Sequence, residues 1–448
     1  MIESCGERVP PEKTKRPSFL KFRKKFIKIL TRYPLLSRTV LARWRRVKFW
    51  TTQFRARILS SRIPKDKYLN VRRKLNVSAC EIMFCSLVEF DVSNGQGRVI
   101  KGDWDLTSKR FDDLDIAAAI RELAKGKVEW EATAFFKNAE KMLKGGATLW
   151  GCKGREDLLA RCRDIERLMD SIRNHGYKSS EELDKEGLNW FSRPSKDEVT
   201  VAIGRNGQLL FCNGAHRLAI ARALGTENIP VQVAVRHPVW MRFRKEVELY
   251  CKRNGGAIYQ PAQHPDLDNI PYFHSCENRF EIIQSEMASK EGKLLDIGAN
   301  WGYFCHRFEE LGFECYAVED MPENIYFLDY IKKARSRTFH IISKSVLESE
   351  VVYKTSFDVV LALNIFHHFL KTPFMFDRFQ NLLKLLKCNE MFLEPHKEGE
   401  SQMIDAYMKF SPEELVMFIA ENCGLNHTKL IGNDVDGRNL FKLSKSDN

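Results

Sequence analysis

Two short stretches of this chain hold residue types at spacings that could do chemistry. The first reads Asp296-Ile-Gly298-Ala-Asn300-Trp-Gly302. A bend bounded by glycines lets the backbone press against a ligand, and a helix opening there offers N–H groups to a carboxylate or phosphate. Glu319 follows 23 residues after Asp296, where an acid can accept the protons of both ribose hydroxyls. Farther along stand Asn364, His367, His368, Glu394 and His396. A histidine is the natural base at neutral pH if a hydroxyl must lose its proton. The second stretch is Asn213-Gly214-Ala215-His216-Arg217. Gly214 permits close backbone approach, the following helix start supplies N–H groups, and His216 and Arg217 add charge-assisted donors, a set suited to a nucleotide phosphate. Against these stands a structural reading: His216 and Arg217 cap the helix and pair with nearby acids, and each of His367, His368 and His396 is a satisfied polar residue. His367 and His368 are adjacent and point in different directions on a helix or turn, so one of them serves as base.

The surrounding elements must bring these residues together. Lys293 to Ile297 reads as a buried strand, Gly298 to Gly302 as a tight turn, Tyr303 to Leu311 as a helix and Phe313 to Val318 as the next strand. Thr338–Ile342 reads as a further strand, resemblance to a known family implies two more at Ser356–Asn364 and Glu390–His396, and a helix capped by Ser411 runs to Gly424. The same resemblance implies a closing hairpin at Thr428–Gly432 and Asn439–Leu443. In a parallel αβ sheet the carboxyl ends of such strands converge, so Asn364, His367, His368, Glu394 and His396 should surround one cleft. Upstream, helices are expected over 112–125, 130–143 and 156–175, with a short strand at Val88–Val92. Glu198–Ile203, the Asn206-Gly207 hairpin turn, Gln208–Cys212, a helix over Leu218–Leu224 and a strand at Ile229–Val235 make a compact unit. A helix from Val239 to Arg253 and an extended loop, Tyr259 to Pro265, connect this unit to the next and are placed to cover its site.

Composition narrows the classes. The chain has 448 residues, a formal charge of +13 and 44% hydrophobic residues, which suggests two to three domains and excludes a mostly disordered chain. No apolar run is long enough to span a bilayer, and the acidic, proline-containing start lacks a secretory h-region. The 12 cysteines are scattered, without CxxC pairs or metal-ligand spacing, and read as thiols of a reducing compartment. No metal site is expected. Residues 13–75 hold 22 Lys/Arg and one acid, Asp66, while residues 76–448 carry a net charge of −6. Phe19, Phe22, Phe26 and Ile29, then Leu36, Val40, Trp44, Val47, Trp50, Phe54 and Ile58, form apolar stripes within that basic arm. Such a segment suits an anionic membrane surface; nucleic acid, an arm packed on the rest of the protein and an organelle transit peptide are the other readings.

The unit built around Asn213–Arg217 resembles the ParB/sulfiredoxin-like fold over residues 155–237. The resemblance implies a nucleotide phosphate at Gly214, His216 and Arg217. Ala215 stands where sulfiredoxins carry their reactive cysteine, and the turn lacks the acid and arginine pair of ParB proteins.

The strand–glycine turn–helix–strand–acid pattern resembles motif I of class I S-adenosylmethionine-dependent methyltransferases, and the likeness extends over residues 270–444. The closing hairpin and the absence of the dinucleotide fingerprint separate it from NAD-binding domains. The resemblance implies a seven-stranded Rossmann-like sheet with S-adenosylmethionine as cofactor. Gly298 and Gly302 then let the cofactor pass, Asp296 orders the turn or contacts the cofactor, Asn300 lies in the same turn, Glu319 holds the ribose and Asn364 sits near the methionyl end. Where the family has an acid that reads adenine, this chain has Ser343.

The resulting expectation is an α/β enzyme in five parts: a basic arm (1–75), a mainly helical region (76–154), the ParB-like module (155–237), a connector (238–269) and the methyltransferase domain (270–444). It is expected in the cytoplasm, peripheral on the inner membrane surface, methylating a membrane-associated glycan or polar metabolite. The rivals are a tRNA methyltransferase, since FDVVLALNIFHHFL is similar to enzymes of wobble uridine, and a nucleotide-binding or phosphotransfer protein with a degenerate methyltransferase domain.

Overall fold

The computed structural model describes residues 74–179 except 89, 91–96 and 127, together with residues 182 and 198–445. All but the last two residues of the basic arm, and with them the expected membrane or nucleic-acid contact, lie outside the described residues.

The first sheet is assembled from distant pieces. Its elements are β1 (Lys74–Val77), β2 (Phe84–Cys85), β3 (Arg98–Val99), α1 (Asp115–Ala124), α2 (Ala134–Lys144), α3 (Arg155–His175), β4 (Thr200–Ile203), β5 (Leu209–Asn213), α4 (Ala215–Ala223) and β6 (Ile229–Arg236). The strand order is β1-β6-β4-β5-β2, with β3 also pairing with β6. β4 and β5 form the antiparallel hairpin expected from Asn206-Gly207, and β6 runs parallel to β4. The three helices appear close to their expected spans. The stretch read as mainly helical also supplies β1, β2 and β3, so it shares one sheet with the module that follows. These strands have two to four residues, too few to impose a period-two signal. Most of the expected strand at 88–92 lies outside the described residues, and Val88 itself is in a bend.

The connector is packed, not slack. Its helix α5 (Pro238–Arg253) begins two residues after β6. Asp266, in the loop beyond, is buried between two guanidinium groups. Arg236 donates to it at 2.5 and 3.0 Å, Trp240 Nε1 at 2.8 Å, and Arg244 lies 3.2 Å away. Burial pushes the Asp266 carboxyl up, but the two arginines outweigh it and leave it below the usual carboxylate range. Removing one partner of a buried ion network leaves the other charges without compensation. Asp266→Ala should therefore cost about 3–5 kcal/mol of stability, read as a lower urea midpoint.

The second sheet follows α6 (Glu277–Glu286). Its elements are β7 (Gly292–Ile297), α7 (Tyr303–Glu310), β8 (Phe313–Val318), α8 (Pro322–Ala334), β9 (His340–Ile342), α9 (Glu350–Lys354), β10 (Ser356–Leu363), α10 (Pro373–Leu385), β11 (Lys387–Glu394), α11 (Pro412–Cys423), β12 (His427–Asn433) and β13 (Asn439–Ser444). Seven strands lie in the order β12-β13-β11-β10-β7-β8-β9. β7 to β11 are mutually parallel where they pair, and β13 enters antiparallel beside β11. The apolar runs in β7, β10 and β11 are near-continuous because these strands are covered on both faces. Leu295, Val360 and Met391 enter one core, Leu294, Val359 and Phe392 the other. Ser411 and Glu414 close the expected capping box on α11, and Gly424 ends that helix in the left-handed region. The fold is the seven-stranded Rossmann-like α/β sheet expected from the sequence.

Helix α5 is held against this second sheet's helices. Phe243 stacks on Tyr330 of α8 at 3.9 Å, and Tyr250 lies 5.1 Å from Trp301.

Candidate functional site

The strand order reverses between β10 and β7, and in open αβ sheets ligands bind beyond the carboxyl ends of strands at such a switch point. The turn leaving β7 is built there. The amides of Gly298 and Ala299 both donate to the Val318 carbonyl, at 3.0 and 2.9 Å, and Gly302 N closes on Ala299 O at 2.8 Å. Gly298, Asn300 and Gly302 have φ of 79°, 52° and 82°. The two glycines also make room for neighbours. A Cβ on Gly298 would stand 2.9 Å from Ile365 Cδ1, and one on Gly302 would stand 2.4 Å from Leu328 Cδ1. Gly302→Ala thus combines left-handed strain with overpacking, and an expected loss of about 2–4 kcal/mol can be read from thermal unfolding.

Glu319 grips this turn. Its Oε2 accepts from Asn300 N at 2.9 Å and its Oε1 from Met321 N at 3.0 Å. Burial pushes its carboxyl up, and these two amides oppose the shift. A carboxylate has about four acceptor positions, so lone pairs remain for hydroxyl donors. Asp296, 3% exposed, lies beneath the turn. Its Oδ2 accepts from Cys305 Sγ at 3.8 Å. Burial raises its pKa to about 7, with a further push from Glu319. Ser343 is exposed just past β9, next to Ile342, whose carbonyl accepts Glu319 N at 3.2 Å.

The connector supplies side chains that sequence reasoning did not single out. Gln260 Nε2 donates to Ala299 O at 2.9 Å, and Asn364 Nδ2 donates to the Tyr259 hydroxyl at 3.4 Å. Trp301, fully buried, stacks on Phe327 at 4.3 Å and meets Tyr250. The loop expected to lie over the site therefore touches the turn at Ala299 and the end of β10 at Asn364. The only sequence signal for these residues was the loop's position directly before the second sheet.

At the ends of β10 and β11 the expected polar residues come together. Asn364 has φ 55°, and its N–H donates to the Glu394 carbonyl at 2.9 Å. The rings of His367 and His368 lie 4.0 Å apart, and those of His367 and His396 6.5 Å. His367 Nε2 meets Gln402 Oε1 at 3.2 Å, and His396 Nε2 meets the Phe410 carbonyl at 3.0 Å. Burial pulls His367 down to about 4, with a second push from His368, and burial lowers His368 as well. Asn364 Oδ1 and the Nδ1 atoms of His367 and His396 are buried without a hydrogen-bond partner. Glu394 is committed elsewhere: Arg279 donates to it at 3.0 Å and Arg438 lies 3.7 Å away.

The second stretch forms a separate constellation on the first sheet. Gly214 caps α4 at φ 87°, and a Cβ there would stand 2.8 Å from Val199 Cα. The buried Arg217 guanidinium lies 4.6 Å over the Tyr177 ring, 3.8 Å from Glu198, and donates to the Lys178 carbonyl. His216 faces the edges of Phe135 and Trp150, at 6.4 and 6.5 Å between ring centres, and burial lowers its pKa to about 3. Among the described residues no group of three or more His, Cys, Asp or Glu side chains is arranged to hold a metal ion, and no helix is long and apolar enough to cross a membrane.

No family model matches the chain, and no curated protein matches it. Among solved structures it is similar to the bifunctional kinase-methyltransferase WbdD, with 20% identity over 42% of this chain and 44% of that one, at a TM-score of 0.36. It is also similar to the N-terminal domain of EvdMO1 solved with SAH bound, with 11% identity over 45% of this chain and 96% of that one, at a TM-score of 0.35. A third is the PH0226 protein of Pyrococcus horikoshii OT3, with 16% identity over 38% of this chain and 90% of that one, at a TM-score of 0.29. The chain thus spans less than half the length of WbdD.

Proposed function

We propose that the chain is an S-adenosylmethionine-dependent methyltransferase. One observation carries this reading. The seven-stranded sheet, with its antiparallel strand inserted before the edge, sets a glycine turn at its switch point, and Glu319 braces that turn. The residues fit such a donor. Spare lone pairs on Glu319 suit the ribose hydroxyls, the buried acid Asp296 suits a cationic end, and the unpartnered Oδ1 of Asn364 suits an ammonium donor. The donor's sulfonium supplies an activated methyl group when bound. The chain's task is then to align an acceptor, exclude water and remove a proton where the acceptor needs it. Calorimetry with S-adenosylmethionine tests the reading: saturable binding is expected, and no heat at any concentration defeats it.

The acceptor is a glycan or polar metabolite, with the basic arm bringing the enzyme to an anionic membrane surface. Vesicles containing phosphatidylserine should bind the whole chain, and label from methyl-labelled donor appearing in tRNA would select the nucleic-acid rival instead. A second reading places a nucleotide at Gly214–Arg217, favoured by the buried, unpartnered Nε2 of His216 beside that helix start. Titration with ATP and CTP, repeated on Arg217→Ala, separates it from the first.

A further inference from the structure

One peptide unit of the Gly298–Gly302 turn is held at both of its polar ends. The N–H of Asn300 donates to Glu319 Oε2 at 2.9 Å, and the carbonyl of Ala299 accepts from Gln260 Nε2 at 2.9 Å. Both groups belong to the planar Ala299–Asn300 peptide, so they point in opposite directions. Gly302 N reaches the same carbonyl at 2.8 Å from within the turn, and the buried Gln260 reaches it from outside. A carbonyl can only accept, so it is the amide nitrogen of Gln260 that faces it.

This orientation carries a conformational cost. Asn300 has φ 52°, in the left-handed region that residues other than glycine seldom occupy. A half-turn of the peptide plane would bring that φ to the negative side and relieve the cost. It would also swing the Asn300 N–H away from Glu319 and set the Ala299 oxygen in its place. Two oxygens would then face each other, and the carboxylate proposed for the ribose would lose one of its two backbone partners. Gly302 N resists that rotation from within the turn, and Gln260 is the side chain that resists it from outside.

Gln260 is in turn seated by the first sheet. Four residues on, His264 Nε2 donates to the Gly207 carbonyl at 2.9 Å, while its Nδ1 accepts from Asp266 N at 3.1 Å. Gly207 lies in the β4–β5 hairpin turn and is wedged in place: a Cβ there would stand 2.5 Å from Trp240 Cζ3 and 2.7 Å from Ala334 Cβ. Arg335, just beyond α8, donates to the Gln263 carbonyl at 2.8 Å. On the other side of Gln260, Ile258 N donates to Pro271 O at 2.8 Å and His274 N to Tyr259 O at 3.1 Å. The loop is thus fastened both before and after Gln260. We propose that Gln260 is a positioning residue for the methyl donor: it locks the Ala299–Asn300 peptide so that Glu319 is set for the ribose, and the first sheet holds the lock through His264. The proposal rests on the methyltransferase reading above, and it makes the first sheet part of the apparatus that binds the donor.

Gln260→Met keeps the length of the side chain and removes the hydrogen it donates. In the full chain, calorimetry should show S-adenosylmethionine binding weakened about 10-fold, the worth of one hydrogen bond. The melting temperature should stay within about 4 °C of the wild type. Hydrogen exchange at the Asn300 amide of the free protein should quicken about 10-fold, because a rotated peptide gives that N–H to water. A side chain that only stabilises the fold would lower the melting temperature and leave affinity and this amide alone. In the wild type, adding S-adenosylmethionine should slow exchange at residues 204–207 as well as in the turn, since coupling between two sites runs both ways. Equal affinity in variant and wild type, or unchanged exchange at Asn300, overturns the lock. Exchange at 204–207 that ignores the donor overturns the part given to the first sheet. A wild type that binds no donor would sink the methyltransferase reading, and exchange at Asn300 would still decide whether Gln260 holds the peptide.

Discussion

Glu319→Ala should lose donor affinity by about 100- to 10,000-fold, because two charge-assisted hydrogen bonds of about 1.5–3 kcal/mol each would vanish. The same change should destabilise the free protein by about 2 kcal/mol, since a buried donor left without its acceptor bears a desolvation cost. Asn300 N and Met321 N are those donors. Calorimetry and denaturant unfolding on one sample measure both effects. Glu319→Gln distinguishes them, because the amide keeps one accepting oxygen for a backbone N–H but offers fewer lone pairs to a sugar. It should recover most of the stability and little of the affinity. Equal donor binding by wild type and Glu319→Ala would place the pocket elsewhere.

Asp296→Asn should move stability and binding in opposite directions. The folded chain holds this proton up to a pKa of about 7, against 3.8 for a free aspartate, and burial is the main cause. An acid raised on folding contributes its stability below the unfolded pKa and loses it as pH climbs through the folded value. The wild type therefore loses stability between about pH 4 and pH 7 that asparagine does not lose. The variant should match the wild type near pH 4 and exceed it at pH 8 by about 4 kcal/mol. Thermal melts at the two pH values measure that gap. Donor binding should weaken, because asparagine cannot offer charge to a cationic ligand. In the wild type, affinity should fall as pH drops below about 7, where binding must expel the proton. A pH-independent affinity would show that Asp296 stays outside the donor's reach.

The parts legible in the sequence were those with a strong local cause. Strands such as Val359–Ala362 are apolar throughout because helices cover both faces, and that run is visible without coordinates. The turn at Gly298–Gly302 announced itself because left-handed backbone favours glycine. Other features had no local signal. β2 and β3 are two residues each, and only their partners β5 and β6 make them strands. Tyr250, Tyr259 and Gln260 reach the site from a helix and a loop whose relation to the second sheet is set by aromatic packing distant in sequence. The paired histidines were visible as a doublet, but Gln402 and Phe410, which orient two of the three imidazoles, lie in an irregular segment with no period to read.

The seating of Tyr250 beside Trp301 has a practical corollary for dividing this chain. A fragment trimmed to residues 270–444 would retain every motif residue of the donor turn yet would shed the ring flanking Trp301, the clamp on the Ala299 carbonyl and the hydroxyl on Asn364. An indole now sealed from water would meet solvent at the edge of the very bend it stiffens. The working unit is thus larger than its recognisable motif, and homology-based trimming would cut through its wall.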